Sequence, residues 1–283
     1  MEEYSKLGIS NDFMFGKVLQ DPALCKPFLE LILNIKIHHI VLLDRQKGID
    51  EKIDSHSIRM DIYVDDGETI YNCEMQTSIK SGLEKRSRYY QGQIDMSLLK
   101  PGENYSKLKK CFIIFICTFD PFQSNRYIYT FENRCDEEPS LLLNDGALKV
   151  FINTKGTVGD VSDEFKELMH FLDTSEIKEY HTELINDMAD ALQDARSNEK
   201  WGHDYMSIEM LKNECREEGR EEGRAEGRAE GRAEGRAEGQ AEGELKQAKI
   251  SAINMLKEGL GIHLASKCSG LPLEEVQALA ATL

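Results

Sequence analysis

The sequence has no long apolar run and no pair of cysteines at the spacing of a zinc site. Its most apolar stretch, Cys111–Cys117, is far too short to span a bilayer and predicts a buried strand. The seven cysteines are scattered and include no CxxC pair, so we expect reduced core thiols and a cytoplasmic location. The acidic start, Met1–Ser5, lacks the basic and apolar regions of a signal peptide.

An excess of positive charge is also missing. The chain has 51 Asp and Glu against 35 Lys and Arg, which gives a formal net charge of -16. A nucleic-acid partner would therefore need a local basic patch, because phosphate attraction depends on where the cations lie. The 283 residues, 40% of them hydrophobic, suffice for one domain with an appendage or for two small domains.

The spacing of apolar residues predicts a mixed α/β sheet with helices on its faces. Asn11 and Asp21 precede helical patterns as N-caps, and the turn Asp65–Gly67 separates two strand patterns. The polar stretch 44–56 predicts a loop. The expected helices are residues 12–19, 22–34, 83–99 and 160–172, and the expected strands are 35–43, 57–64, 69–76, 111–118 and 148–153.

The predicted hairpin carries two acids and an amide. Asp61 lies on one strand, and Glu74 and Gln76 lie two residues apart on the next, so both point to one face of the sheet. Such a compact set of oxygen ligands suits Mg²⁺, or Mn²⁺, which can activate a water toward a phosphodiester. The spacing alone favours the alternative, solvated carboxylates on an exposed sheet face.

Several segments resemble those of a known nuclease family. The pattern D-x12-E-x-Q is similar to the PD-(D/E)XK signature, in which an Asp on one strand precedes a (D/E)-x-K triplet on the next. The similar segments are Asn11–Phe15, Phe28–Leu33, Arg59–Ile62, Cys73–Gln76 and Arg86–Tyr90. Together with the repetitive tail, they identify the chain as a member of the recombination-promoting nuclease (Rpn) group, the PD-(D/E)XK nuclease family transposases, over roughly residues 8–200.

This resemblance implies a restriction-endonuclease-like fold and a Mg²⁺-dependent DNA endonuclease linked to recombination, transposition or phage defence. It implies catalytic roles for Asp61, Glu74 and Gln76, with Asp61 and Glu74 as metal ligands. Glu30 either completes the metal site or is an exposed helical acid. The alternative hypothesis is a catalytically decayed nuclease fold that acts as an oligomeric DNA-binding or assembly module.

Two positions depart from the general superfamily pattern. Met60 stands where proline is usual, and Gln76 stands where a lysine is usual. A glutamine can hydrogen-bond a water but carries no charge, so we expect Gln76→Lys to hold or raise activity.

The segment after the hairpin interleaves cations with aromatic residues. Such side chains suit DNA phosphates and stacked bases. The alternative is a solvated helix whose tyrosines anchor it to the sheet. The candidate DNA-binding residues are Lys80, Lys85, Arg86, Arg88, Tyr89 and Tyr90.

A tetrapeptide repeat, clearest as AEGR, occupies Glu218–Gly243. Ala, Glu and Arg favour helix, whereas frequent Gly and like charges at i,i+4 oppose an isolated one. We therefore expect a coiled, homo-oligomeric helix rather than the alternative, a flexible linker. The expected domains are a nuclease domain at 1–205, the repeat segment at 206–246 and a helix-turn-helix-like cap at 247–283, which either binds DNA or dimerises.

Overall fold

The computed structural model describes residues 3–49, 58–79 and 81–283. Its central element is a six-stranded sheet in the order β1-β2-β3-β4-β6-β5. The strands are β1 (Leu42–Ile49), β2 (Ile58–Asp65), β3 (Thr69–Gln76), β4 (Lys110–Cys117), β5 (Ile128–Phe131) and β6 (Ala147–Asn153). Strands β3, β4 and β6 are parallel, and the other pairs are antiparallel. The mixed sheet expected from the sequence is confirmed.

Capping residues define where the N-terminal helices begin and end. The Asn11 side chain accepts the Phe13 N–H at 3.0 Å, and Asp21 accepts the Ala23 N–H at 2.8 Å. Asn34 ends the second helix with a left-handed φ of 51°. The helices are α1 (Asp12–Val18), α2 (Pro22–Leu33), α3 (Leu83–Leu98), α4 (Asp163–Thr174), α5 (Glu183–Ser197), α6 (Glu199–Lys257), α7 (Ile262–Ser269) and α8 (Leu273–Ala280).

Strand β4 lies between β3 and β6, and all its residues after Lys110 are buried. A strand with helices on both faces needs apolar residues at every position, which explains the continuous apolar run in the sequence. On one face, Ile113 and Phe115 pack in a core cluster with Tyr90 and Ile94 of α3. Helix α3 therefore covers the face of the sheet toward which alternate residues of β3 and β4 point.

The first strand lies later in the chain than the sequence pattern predicts. The prediction of a strand at 35–43 is wrong for residues 35–41, where the Ile37 N–H donates to the Glu30 carboxylate at 2.8 Å instead of joining a ladder. Strand β1 instead uses the first part of the predicted loop. It is an edge strand that pairs with β2, and an edge position tolerates polar residues. Residues 50–56 of that loop lie outside the described residues.

The last helices of the first unit, residues 1–206, hold the N-terminal helices in place. Helix α5, which the sequence pattern did not indicate, contacts α1, α2 and α4. The Tyr4 hydroxyl donates to the Ala195 carbonyl at 2.7 Å, and the Lys17 ammonium lies 4.3 Å from the Trp201 ring centroid. The first residues of α6 therefore belong to the same core as the N-terminus.

Residues 207–283 form a second unit. Helix α6 includes the whole repeat, and every repeat residue is exposed. Its C-terminal end packs with α7 and α8 around a small core of Ala252, Ala265, Leu271 and Val276. None of the helices within the described residues is long and apolar enough to cross a membrane.

Candidate functional site

At the two acids, hydrogen bonds from backbone N–H groups to the acidic side chains replace the backbone pairing between β2 and β3. The paired residues run from Asp65–Ile70 to Ile62–Cys73, one position before Asp61 and Glu74. The Asp61 N–H donates to Glu74 Oε1 at 3.1 Å, and the Met75 N–H donates to Asp61 Oδ2 at 3.0 Å. Each carboxylate thus accepts a backbone N–H from the opposite strand, so the two acids are held against each other.

Glu74 is the more buried of the two acids. Its exposed fraction is 2%, whereas Asp61 is only partly buried. Burial, and secondly the negative charge of Asp61, raise the pKa of Glu74 to about 8. The Asp61 N–H and Arg86 act in the opposite direction but do not offset the burial. Glu74 is therefore a carboxyl group that resists ionisation even with Arg86 beside it.

Arg86 of α3 places a positive charge beside Glu74. Its Nη2 donates to Glu74 Oε2 at 3.1 Å, and its Nη1 donates to Gln76 Oε1 at 3.1 Å. The guanidinium carbon lies 5.1 Å from the Tyr90 ring centroid and 5.2 Å from that of Phe115. The Gln76 amide donates to the Met75 carbonyl at 2.8 Å. The buried end of β3 and the first turns of α3 thus form one hydrogen-bonded site.

The family model of the PD-(D/E)XK nuclease family transposases matches residues 10–155, more than half of the chain. The chain belongs to this family. The matched segment runs from just before α1 to just after β6, so it includes β2, β3 and α3, which together form the site. No curated protein and no solved structure matches the chain.

A divalent metal, which PD-(D/E)XK nucleases generally use, suits the chemistry of these residues. No group of three or more His, Cys, Asp or Glu that could hold a metal occurs among the described residues. Two carboxylates are nevertheless enough for Mg²⁺, which keeps several waters and is often completed by substrate phosphates. Two acids held together, one of them buried with a raised pKa, are also an arrangement whose ionised form a dication would stabilise.

Buried polar atoms without hydrogen-bond partners occur on β3 and on α3, the two elements that carry Glu74 and Arg86. Asn72, two residues before Glu74 on β3, is fully buried, and neither atom of its amide has a hydrogen-bond partner. In the described part of the chain, the other such atoms are Arg86 Nε and Gln91 Oε1, both on α3. Unpaired buried polar groups are costly, so an interface that collects them fits bound water or ligand better than a sealed core.

Glu30 lies apart from the two acids. Its carboxylate accepts the Ile37 N–H and lies 3.9 Å from the Lys36 ammonium. It does not form a three-acid group with Asp61 and Glu74. Its contacts are those of a residue that stabilises the chain after α2.

Helix α3 divides the predicted DNA-binding residues between its two faces. Lys85, Arg88 and Tyr89 are exposed, whereas Arg86 and Tyr90 point toward the acids. Lys80 lies outside the described residues. The contact of Arg86 with the acids was not predicted from the sequence, although its i,i+4 spacing to Tyr90 and the apolar Leu83 and Ile94 indicate the inner face.

Glu74→Gln should change the pH dependence of stability in metal-free protein. Because the folded-state pKa of Glu74 is raised from the ordinary 4.5 to about 8, its contribution to stability is present below the ordinary value and is lost as pH rises through the folded value. Glutamine has no such proton. We expect the unfolding free energy of the variant, minus that of wild type, to grow between these values and level off above about pH 8.

Urea unfolding in EDTA across this pH range measures the difference. Glu84→Gln, which changes an exposed acid on α3, is the matched control and should follow wild type. Parallel curves for Glu74→Gln and wild type would contradict the raised pKa.

Proposed function

We propose that the chain is a metal-dependent DNA endonuclease with Asp61 and Glu74 as its catalytic acids and Gln76 as the third residue of the motif. The observation that carries this proposal is the exchange of backbone hydrogen bonds that holds the two carboxylates together. Membership of a nuclease family supports it. The reaction would be hydrolysis of DNA phosphodiester bonds in recombination, transposition or phage defence.

Asp61 and Glu74 are the residues that would hold Mg²⁺ or Mn²⁺. When bound, the metal would make a ligand water more acidic and stabilise charge on the phosphate. The chain's own contribution is orientation: the N–H groups of Asp61 and Met75 fix the directions of the two carboxylates before any ligand arrives. Arg86 partly compensates the charge that Glu74 would carry when ionised.

The outer face of α3 is the proposed DNA-contacting surface. Lys85 and Arg88 are exposed there with Tyr89, on the helix whose inner face reaches the acids. The two cations can contact the DNA backbone, and the partly exposed aromatic ring beside them can stack on a base. The net charge of -16 makes such a local surface necessary, because the whole chain would otherwise repel a polyanion.

We also propose that the repeat segment of α6 binds a second copy of itself. Each repeat glycine has open space where a Cβ would lie, and every repeat residue is exposed. A helix with one glycine in four gains little from intrinsic propensity, so packing is the remaining source of stability.

We propose the cytoplasm as the compartment of this protein, since all seven cysteines are free thiols.

Removal of either acid should abolish metal-dependent cleavage. We expect Asp61→Ala and Glu74→Ala to lose activity on plasmid DNA with Mg²⁺ or Mn²⁺, because each loses a carboxylate from the pair, and Gln76→Ala to retain weakened activity. Glu68→Gln, on the exposed turn of the same hairpin, is the control and should cleave like wild type. Full activity of Asp61→Ala would rule out the assigned acids, and a folded wild type without cleavage would favour the assembly-module alternative.

Charge reversal on the outer face of α3 should weaken DNA binding without altering the acids. Lys85→Glu with Arg88→Glu should lower affinity for all duplex sequences and reduce the salt dependence of binding, because fewer phosphates are neutralised. Fluorescence anisotropy over a salt series in EDTA measures both effects. Lys155→Glu with Lys166→Glu, which reverses two exposed cations outside α3, is the control, and an equal loss there would mean that net charge alone is responsible.

Deletion of residues 216–283 should separate association from chemistry. We expect the full chain to be at least dimeric and the shortened chain to be a folded monomer with partial cleavage activity. DNA affinity should fall, because a dimer presents two weak surfaces to one duplex. Light scattering and circular dichroism of both chains provide the measurement. A monomeric full chain would leave the repeat as a spacer.

A further inference from the structure

Both polar atoms of the Gln76 side chain form hydrogen bonds with other protein groups. Its Oε1 accepts from Arg86 Nη1 at 3.1 Å, and its Nε2 donates to the Met75 carbonyl at 2.8 Å. The side chain is 8% exposed. An amide anchored through both of its polar atoms is suited to orienting the guanidinium, and it is poorly placed to orient a water.

The Arg86 guanidinium lies where it can act on both the acids and a substrate. Its side chain is 31% exposed, whereas that of Glu74, to which it is bonded, is 2% exposed. The aromatic rings of Tyr90 and Phe115 support it from the core side. On the β3 side, Glu74 and Gln76 each accept a hydrogen bond from one terminal nitrogen of the guanidinium. The partly exposed remainder of the Arg86 side chain is the part that can reach a phosphate.

We propose that Arg86 supplies the positive charge of the catalytic centre from α3, and that Gln76 is a positioning residue that orients it. This inference rests on the proposed nuclease function. A guanidinium stays charged at all physiological pH values and binds phosphate oxygens through a planar fork. It stabilises the negative charge that builds up on the phosphate oxygens, and it neither gives nor takes a proton.

One consequence concerns a lysine at position 76. The Gln76 amide oxygen lies 3.1 Å from Arg86 Nη1, so an ammonium there would face a guanidinium. The expectation from sequence alone, that Gln76→Lys holds or raises activity, is therefore replaced: the single substitution should lower activity. When Arg86 is absent, the same lysine should restore the charge from β3.

A cycle of four proteins tests this relocation of charge: wild type, Arg86→Gln, Gln76→Lys and the double variant. In single-turnover cleavage with Mg²⁺, we expect Arg86→Gln to lose about 100-fold, the cost typical of removing one preorganised donor to a developing charge. Gln76→Lys should also lose activity, and the cleavage rate of the double variant should return to within about tenfold of the wild-type rate. Lys166→Gln on α4 is the surface-charge control.

A second readout does not require cleavage. Mn²⁺ affinity, measured by electron paramagnetic resonance at one pH without DNA, should rise in Arg86→Gln, fall in Gln76→Lys and return near wild type in the double variant. The physical reason is that one positive charge beside the acids is removed, added or moved. A purely structural role for Arg86 would not be compensated by a lysine on another element.

The outcomes separate this inference from the proposed function. Additive losses of cleavage activity with no recovery in the double variant, or Mn²⁺ affinities that do not follow the removed, added and moved charge, would overturn the role of Arg86 even if wild type cleaves. Absence of cleavage by wild type would overturn the nuclease proposal, and the Mn²⁺ cycle would still decide where the charge resides. If Arg86→Gln does not fold, Arg86→Lys replaces it, and adding Gln76→Lys should then lower activity further; an increase would contradict the proposal.

Discussion

The burial of Glu74 next to Asp61 is the constraint on which the site depends. A carboxylate with 2% exposure must be hydrogen-bonded and electrostatically compensated, or it stays protonated. The Asp61 N–H and the Arg86 guanidinium meet this need only in part, from two different elements, since the pKa of Glu74 stays raised. The packing of α3 on the sheet and the order of the acids are therefore coupled, because Arg86 reaches Glu74 only when α3 packs with its inner face on β4.

The core close to the acids contains buried polar side chains, whereas the rest of the core that faces α3 is mostly apolar. Most of the α3-facing core is apolar, with Phe115 stacked on Phe151 at a centroid distance of 5.5 Å. Along β3, in contrast, Asn72, Glu74 and Gln76 place polar groups in the same layer. Local rules are typically broken at functional sites, and the cost is met by good packing elsewhere. The apolar layer around Phe115 is the part of the fold that offsets this cost.

Much of the fold could be predicted because local signals agreed with tertiary structure. Asn11 and Asp21 cap helices, the apolar run is a central strand, and the hairpin brings Asp61 and Glu74 to adjacent strands. What could not be predicted depends on partners distant in sequence. The placement of β1 follows from pairing with β2, and the role of Arg86 follows from which face of α3 meets the sheet.

The polar character of β1 has a consequence for aggregation. An edge strand offers a row of backbone groups to any extended chain that approaches it, which is a common route to intermolecular sheets. The β1 segment contains Asp44, Arg45 and Lys47 and ends with Gly48–Ile49. Charges along an edge make strand addition unfavourable. The same polar composition that makes this strand resemble a loop in the sequence is therefore one that disfavours strand addition at this edge of the sheet.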